Sequence, residues 1–205
     1  MANLIKRTLS SIILLPLVFY LVVQGSFTLF FFTIICYIVA CYEWHKIVQK
    51  KFYKLFGTIF LIFSFYTFYE ISINQLEFFF VILICVTTDI GGYAFGKTFK
   101  GPKLTKISPN KTYAGMLGGF FLSLISVTMI PLFEVDVMQL SGFLFVIGIS
   151  CVSQIGDITI SYFKRLFRIK DTGKIIPGHG GLLDRVDGMI FAFPFTFIII
   201  YIGLF

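Results

Sequence analysis

The stretch from residue 154 to residue 188 combines acids with glycines and basic residues in an otherwise apolar chain. Asp184 and Asp187 are three residues apart, so on a helix they would share a face. A Gly/Pro-rich loop separates them from Asp157, which could therefore approach the pair. Three carboxylates that meet would repel one another unless a cation lies between them, and hard oxygen ligands suit Mg²⁺. The sequence therefore predicts a magnesium site at Asp157, Asp184 and Asp187.

Basic and hydroxyl side chains accompany these acids. Magnesium in a surround of Lys and Arg suits a triphosphate, because phosphoryl-type transfer depends mainly on positioning and charge neutralisation. A helix that continued past Asp157 would carry the nearer of these residues on one polar stripe. His179 either contacts a ligand or shapes its loop through a hydrogen bond. Besides the three aspartates, the candidate catalytic residues are Ser161, Lys164, Arg165, Lys170, Asp171, His179 and Arg185.

A second candidate is Asp89, an acid inside an apolar run and on the same helical face as Lys97. An acid within a membrane span is costly and usually functional, although a structural carboxylate paired with a lysine is the alternative. Residues 91–98 also fit the pattern GxxxxGK[ST] of a phosphate-binding loop. That motif requires a preceding strand, which an apolar helical run does not supply, so we reject this interpretation.

Residues 100–115 form a basic loop with four lysines. Ser108 precedes Pro109, a helix-start signal that would put Lys111 and Thr112 in a first helical turn, where phosphate binds well. The alternative is a basic loop that serves only to set the membrane topology. The candidate cofactor-binding residues of this loop and the preceding run are Asp89, Lys97, Ser108, Lys111 and Thr112.

Composition indicates which elements position these residues. Of the 205 residues, 58% are hydrophobic and only 13% are charged, whereas soluble domains carry about 25% charge. A bilayer core needs about 20 apolar helical residues per span, and lipid allows only helices here. We predict an all-α polytopic membrane protein with a single domain, 1–205, divided into N-terminal spans at 1–75 and a catalytic part at 76–205. The seven predicted spans are 8–24, 26–42, 55–73, 77–97, 112–133, 138–160 and 187–205.

Charge placement predicts the orientation. With the N-terminus in the cytoplasm, all 17 Lys and Arg residues lie in or beside cytoplasmic segments, as the positive-inside rule requires. The charged residues of the outer loops are all acidic, namely Glu70, Glu77, Glu134 and Asp136. The net charge of +7 then indicates loops that face anionic lipid and phosphates, and we expect no nucleic-acid partner.

The polar segments resemble the signature of the phosphatidate cytidylyltransferase family. Ser108-Pro109-x-Lys111-Thr112 is similar to its Ser-Pro-x-Lys-Thr segment, and the resemblance covers about residues 85–190. Ala114 departs from the family pattern, which often has an acid there. The longest matching motif is Ser161-x2-Lys164-Arg165-x4-Lys170-Asp171-x-Gly173-x2-Ile176-Pro177-x-His179-Gly180-Gly181-x2-Asp184-Arg185-x-Asp187.

The resemblance implies a bacterial inner-membrane enzyme with its active site at the cytoplasmic face. Its substrates would be CTP and phosphatidic acid, its products CDP-diacylglycerol and pyrophosphate, its cofactor Mg²⁺ and its assembly a homodimer. Whether a monovalent cation joins the Mg²⁺ is left open. The alternatives are a CTP-dependent lipid kinase, a cytidylyltransferase for another lipid phosphate, and an ion-coupled transporter with Asp89 and Asp157 along its path.

Overall fold

The computed structural model describes residues 18–24, 26–105, 107–128, 138–173, 175 and 180–204. Within these residues the chain is helical and without strands, apart from one isolated antiparallel bridge between Lys103 and Thr112. A helical segment at 18–24 precedes the longer elements. Their bounds are α1 Ser26–Ile47, α2 Lys51–Ile73, α3 Gln75–Phe99, α4 Tyr113–Thr128, α5 Leu140–Leu166, α6 Leu183–Val186 and α7 Met189–Tyr201.

Helices α1, α2, α3 and α5 are long and apolar enough to cross a membrane, and α4 and α7 are shorter apolar helices. Large apolar side chains such as Phe27 and Phe52 are about three-quarters exposed, which suits lipid as the surrounding solvent. The predicted all-α polytopic membrane fold is confirmed. The count of seven spans, the cytoplasmic N-terminus and the division at residue 75 stay predictions. Parts of three predicted spans, 8–24, 112–133 and 187–205, and the loop acids Glu134 and Asp136, lie outside the described residues.

Two helix boundaries differ from the sequence-based prediction. Helix α5 runs to Leu166, six residues past the predicted end at 160, so Ser161 and Lys164 are helical. Helix α4 begins at Tyr113, and the predicted start at Ser108 is wrong. Residues 108–111 instead form a turn, closed by the Lys111 N–H donating to the Ser108 carbonyl at 3.0 Å. The Thr112 hydroxyl then accepts from the Gly115 N–H at 3.1 Å and caps α4.

Glycines bring α3 and α4 into backbone contact. A Cβ atom built on Gly115 would lie 2.6 Å from the Gly92 carbonyl oxygen, and one built on Gly91 would overlap the Gly118 carbonyl. Small residues at such a seam let membrane helices approach closely, where packing between backbones holds them together. The seam places Asp89 of α3 beside the loop that precedes α4.

A similar contact joins α5 to the segment before α7. A Cβ atom built on Gly156 would lie 2.7 Å from the Asp187 carbonyl oxygen, and Gly188 lies against Ser153. Leu182, Asp187 and Gly188 all have right-handed helical dihedral angles, so α6 and α7 follow one helical path. Asp157, which follows Gly156, is therefore held near Asp187, at the start of α7.

The buried apolar side chains form two clusters. One joins α3, α5 and α7 through residues such as Phe78, Ile149 and Phe193. The other packs α1 and α2 against α6 and α7, with Trp44 and Leu183 among its members. The second cluster fixes the end of α1 next to the loop that leads into α6.

Candidate active site

A polar cavity of about 310 Å³ lies between α3, α5 and the loop before α4. Asp89 lines it from α3, and Asp157 lines it from α5. The loop contributes Ser108, Lys111 and Thr112. Four of the five predicted cofactor-binding residues thus share one cavity with a predicted catalytic residue.

Lys111 and Asp157 form the central ion pair of this cavity. The Lys111 Nζ atom lies 2.5 Å from Asp157 Oδ2, and the two side chains are 24% and 32% exposed. One helical turn further along α5, the Ser161 hydroxyl lies 3.4 Å from Asp157 Oδ1. An anion that entered the cavity would therefore meet a lysine that is already paired with a carboxylate.

A second ion pair links α5 to α6. The Lys164 Nζ atom lies 2.8 Å from Asp184 Oδ1, and both side chains are largely buried. Asp184 Oδ2 accepts from the Thr172 N–H at 2.7 Å, the Thr172 hydroxyl at 3.0 Å and the Gly181 N–H at 3.0 Å. Burial raises the pKa of Asp184, but the hydrogen bonds from Lys164 and these two backbone groups outweigh it and hold the pKa below its usual range. Asp184 is therefore an ionised carboxylate with partners on both oxygens.

Asp187 lies just before α7, where its backbone packs against Gly156 of α5, next to Asp157. The negative charges of Asp157 and Asp89 act on its carboxylate. The positive charges of Lys164 and Lys111 act in the opposite direction. Asp89, Asp157 and Asp187 are thus close enough for their charges to interact, with two lysines nearby.

The three predicted metal ligands do not form a ready-made cage. Among the residues that the structure describes, no three Asp, Glu, His or Cys side chains are grouped so that they could hold a metal ion. Asp157 and Asp187 are neighbours, whereas Asp184 is taken up by Lys164, Thr172 and Gly181. The magnesium site at Asp157, Asp184 and Asp187 stays a prediction.

The other candidate residues lie outside the polar cavity. The Arg165 guanidinium is exposed and donates to the Ile169 carbonyl at 3.3 Å. Lys97 is exposed and lies 5.5 Å from the Tyr93 ring centroid. Exposed positions are also found for Lys170, Asp171 and Arg185. His179 lies outside the described residues.

Comparison with known proteins supplies the family. The model of the Cytidylyltransferase family matches residues 5–77 and 70–203, which is nearly the whole chain. The chain belongs to the cytidylyltransferase family. Proteins named phosphatidate cytidylyltransferase from Rickettsia felis and Rickettsia bellii are 34% and 35% identical to it. These alignments cover 96% and 97% of this chain and 92% and 91% of the relatives.

A relative from another bacterial genus extends the comparison. The phosphatidate cytidylyltransferase of Staphylococcus aureus strain COL is 42% identical over 140 residues. That alignment covers 64% of this chain and 52% of the relative. The resemblance inferred from the polar motifs is therefore confirmed at the level of the family.

The candidate residues taken from the sequence did not include Glu43, a buried acid. Glu43 lies in α1, is 1% exposed and contacts the loop before α6. The available signal was an acid at the end of an apolar run, the same signal that singled out Asp89. Thr172 was missed as well, because only the fold shows that its backbone and hydroxyl bind Asp184.

Proposed function

We propose that this protein transfers the cytidylyl group of CTP to phosphatidic acid, giving CDP-diacylglycerol and pyrophosphate. The observation that carries the proposal is the match to proteins named phosphatidate cytidylyltransferase over more than nine-tenths of both chains. The polar cavity supports it, because paired lysines and aspartates beside a membrane suit an anionic nucleotide and a lipid phosphate.

The reaction needs positioning more than a strong base. A phosphate oxygen of phosphatidic acid, already ionised, forms a bond to the α-phosphorus of CTP, and the bond to the bridging oxygen of pyrophosphate breaks. Negative charge moves to the leaving pyrophosphate, so nearby cations stabilise the transition state. We propose this role for Lys111, which lines the cavity, and for Lys164, which lies on α5 one turn after Ser161 and pairs with Asp184. Arg165, Lys170 and Arg185 are proposed to neutralise the phosphates from the surrounding surface.

We propose Mg²⁺ as the cofactor, held by Asp157 and Asp187 with Asp184 as the third carboxylate. The donor set fits a hard divalent cation, since all three side chains offer carboxylate oxygens and the packing of Gly156 against the Asp187 backbone brings Asp157 and Asp187 together. Asp184 would contribute only after Lys164 released one of its oxygens. The bound ion would neutralise the triphosphate, and an accompanying monovalent cation is a separate proposal, tested by activity with and without K⁺.

The finer localisation is also a proposal. We place the N-terminus and the active site at the cytoplasmic face of a bacterial inner membrane, because the basic residues all fall on one side of a seven-span topology. Labelling of single cysteines introduced at Glu77 and at Lys46 in intact cells tests this, since the two positions should react from opposite sides. A homodimer is proposed on the family resemblance, and mass measurement in detergent tests it.

The reaction itself is tested with purified protein in mixed micelles that contain phosphatidic acid. CTP labelled at the α-phosphate should transfer its label to lipid, whereas CTP labelled at the γ-phosphate should not. EDTA should abolish the transfer and added Mg²⁺ should restore it. Label from the γ-phosphate in the lipid would identify a kinase, and no transfer from either CTP would refute the proposal. The kinase and transporter alternatives gain no support from the comparisons.

A further inference from the structure

Glu43 is a buried carboxylate at the end of α1 that reaches the loop preceding α6. The Leu182 N–H donates to Glu43 Oε1 at 2.9 Å, and the Leu183 N–H donates to Oε2 at 2.9 Å. The Thr172 hydroxyl lies 3.1 Å from Oε2. A residue of the first long helix therefore holds the backbone of a segment about 140 positions further along the chain.

Two glycines make room for this carboxylate. A Cβ atom built on Gly181 would lie 2.5 Å from Glu43 Oε2, and one built on Gly173 would lie 2.5 Å from Oε1. Real Cβ atoms do not approach that closely, so any larger residue would push the carboxylate away. Gly173 and Gly181 belong to the motif of the last third of the chain, and Glu43 supplies a physical reason for both.

Glu43 and Asp184 bind the same short stretch of loop. The Thr172 hydroxyl lies within 3.1 Å of both carboxylates. The N–H groups of three consecutive residues then divide between them: Gly181 donates to Asp184, and Leu182 and Leu183 donate to Glu43. Movement of this stretch would therefore move the Asp184 carboxylate and, through it, the ammonium group of Lys164.

We propose that Glu43 is a positioning residue, which holds Thr172 and the backbone at Leu182 and Leu183 so that the ion pair of Asp184 with Lys164 keeps its place. The inference rests on the proposed cytidylyl transfer. Packing alone does not account for a carboxylate here, because Ala40, Trp44 and Ile47 of the same helix already bury an apolar face in the cluster that includes residues of α6 and α7. A buried charge costs free energy unless donors surround it, and Glu43 accepts from two backbone N–H groups and lies within reach of the Thr172 hydroxyl, which it shares with Asp184.

The decisive variant is Glu43→Gln. The two backbone N–H groups bind different oxygens of Glu43, so in either orientation the Gln amide turns its NH₂ group toward one of them. Loss of one hydrogen bond to a charged acceptor should speed deuterium exchange in peptides covering residues 180–187 by about 10- to 100-fold. Misplacement of Asp184 and Lys164 should lower kcat by about 10- to 100-fold. The KM for CTP should stay within about twofold, since the lysines and arginines remain.

Glu77→Gln is the matched control. Glu77 is bound by the Asn74 side chain at 2.7 Å, in the first turn of α3 and away from the cavity. The same chemical change there should leave kcat within about twofold of wild type. Glu43→Asp keeps the charge on a shorter side chain and should recover part of the kcat lost in Glu43→Gln. If the Gln variant does not fold, the same kcat and deuterium-exchange measurements are made on Glu43→Asp.

A double-mutant cycle separates positioning from general stability. Thr172→Val removes the shared hydroxyl, and its effect on kcat should be less than multiplicative with that of Glu43→Gln. The proposal is overturned if Glu43→Gln keeps wild-type kcat per folded molecule, or if its losses multiply fully with those of Thr172→Val. Failure of the wild-type protein to form CDP-diacylglycerol would refute the proposed function alone, and deuterium exchange would still test the Glu43 contact.

Discussion

Replacing Lys111 by Met should weaken the reaction through the loss of one cation from the polar cavity. Lys111 Nζ lies 2.5 Å from Asp157 Oδ2, so the side chain already occupies the cavity. Met has a similar length and no charge, so the change removes the ammonium group and little volume. It also leaves the charges of Asp89 and Asp157 less compensated, which further disfavours an anionic nucleotide.

The size of the effect follows from the charge and its exposure. Two unit charges about 4 Å apart interact by about 4 kcal/mol at an effective dielectric constant of about 20, which is an upper bound here. Lys111 and Asp157 remain 24% and 32% exposed, so water screens part of this energy. A hydrogen bond to a charged group contributes about 1.5–3 kcal/mol. We therefore expect kcat/KM for CTP to fall by about 10- to 100-fold.

The assay is initial-rate transfer from α-labelled CTP to phosphatidic acid in micelles, with CTP varied. Lys46→Met is the control, because Lys46 is exposed at the end of α1 and away from the polar cavity. Lys111→Arg keeps the charge and should retain more activity than Lys111→Met. A Lys111→Met enzyme with wild-type kcat/KM, or a Lys46→Met enzyme with an equal loss, would show that the reasoning about the cavity is wrong.

Two further predictions concern stability. Asp184→Asn should lower the free energy of unfolding at pH 7 by about 3–5 kcal/mol, because it breaks a buried ion pair. The pKa of Asp184 is lower in the folded state than in the unfolded state, so the wild-type protein has this stabilisation above the ordinary carboxyl pKa and loses it as the pH falls through the folded-state pKa. The melting temperatures of the wild-type and Asp184→Asn proteins should therefore converge in acid. Equal melting temperatures at pH 7 would contradict a stabilising role for the ion pair. Gly91→Val should destabilise the contact between α3 and α4 by about 1–3 kcal/mol and reduce transfer activity, because a side chain at Gly91 would overlap the Gly118 carbonyl. Unchanged melting temperature and activity would show that the two helices are less tightly packed than their backbone contacts indicate.

Apolar runs were sufficient to predict the long helices, because lipid permits few other structures. The predicted run 77–97 lies inside α3, and the run 26–42 lies inside α1. Boundaries were less certain, since polar residues can belong to either a loop or a helix end. Ser108 and Thr112 are both suitable N-caps, and the pairing of Lys103 with Thr112 decides in favour of the later one.

The sequence predicted which residues belong to the candidate site better than it predicted which of them contact one another. The polar stretch from residue 154 to residue 188 led to Asp157, Asp184 and Lys164, but their partners depend on how the helices pack. Asp184 was expected beside the other two aspartates, whereas Thr172 and Gly181 of the preceding loop supply it with donors. Glu43 escaped prediction because two of its donors are backbone N–H groups about 140 positions away, and no residue type in the sequence indicates a backbone group.

The two ion pairs have a consequence for how a nucleotide would be received. Lys111 and Lys164 each hold a carboxylate, so neither stands as a free positive charge. A bare triphosphate that captured these lysines would leave two aspartates without countercharge at the edge of a low-dielectric phase. If a triphosphate arrived with a divalent ion, the lysines would be free to bind the phosphates while the ion offset the two carboxylates. The negative charge of the triphosphate that remained would then fall to the other basic residues of the cytoplasmic loops.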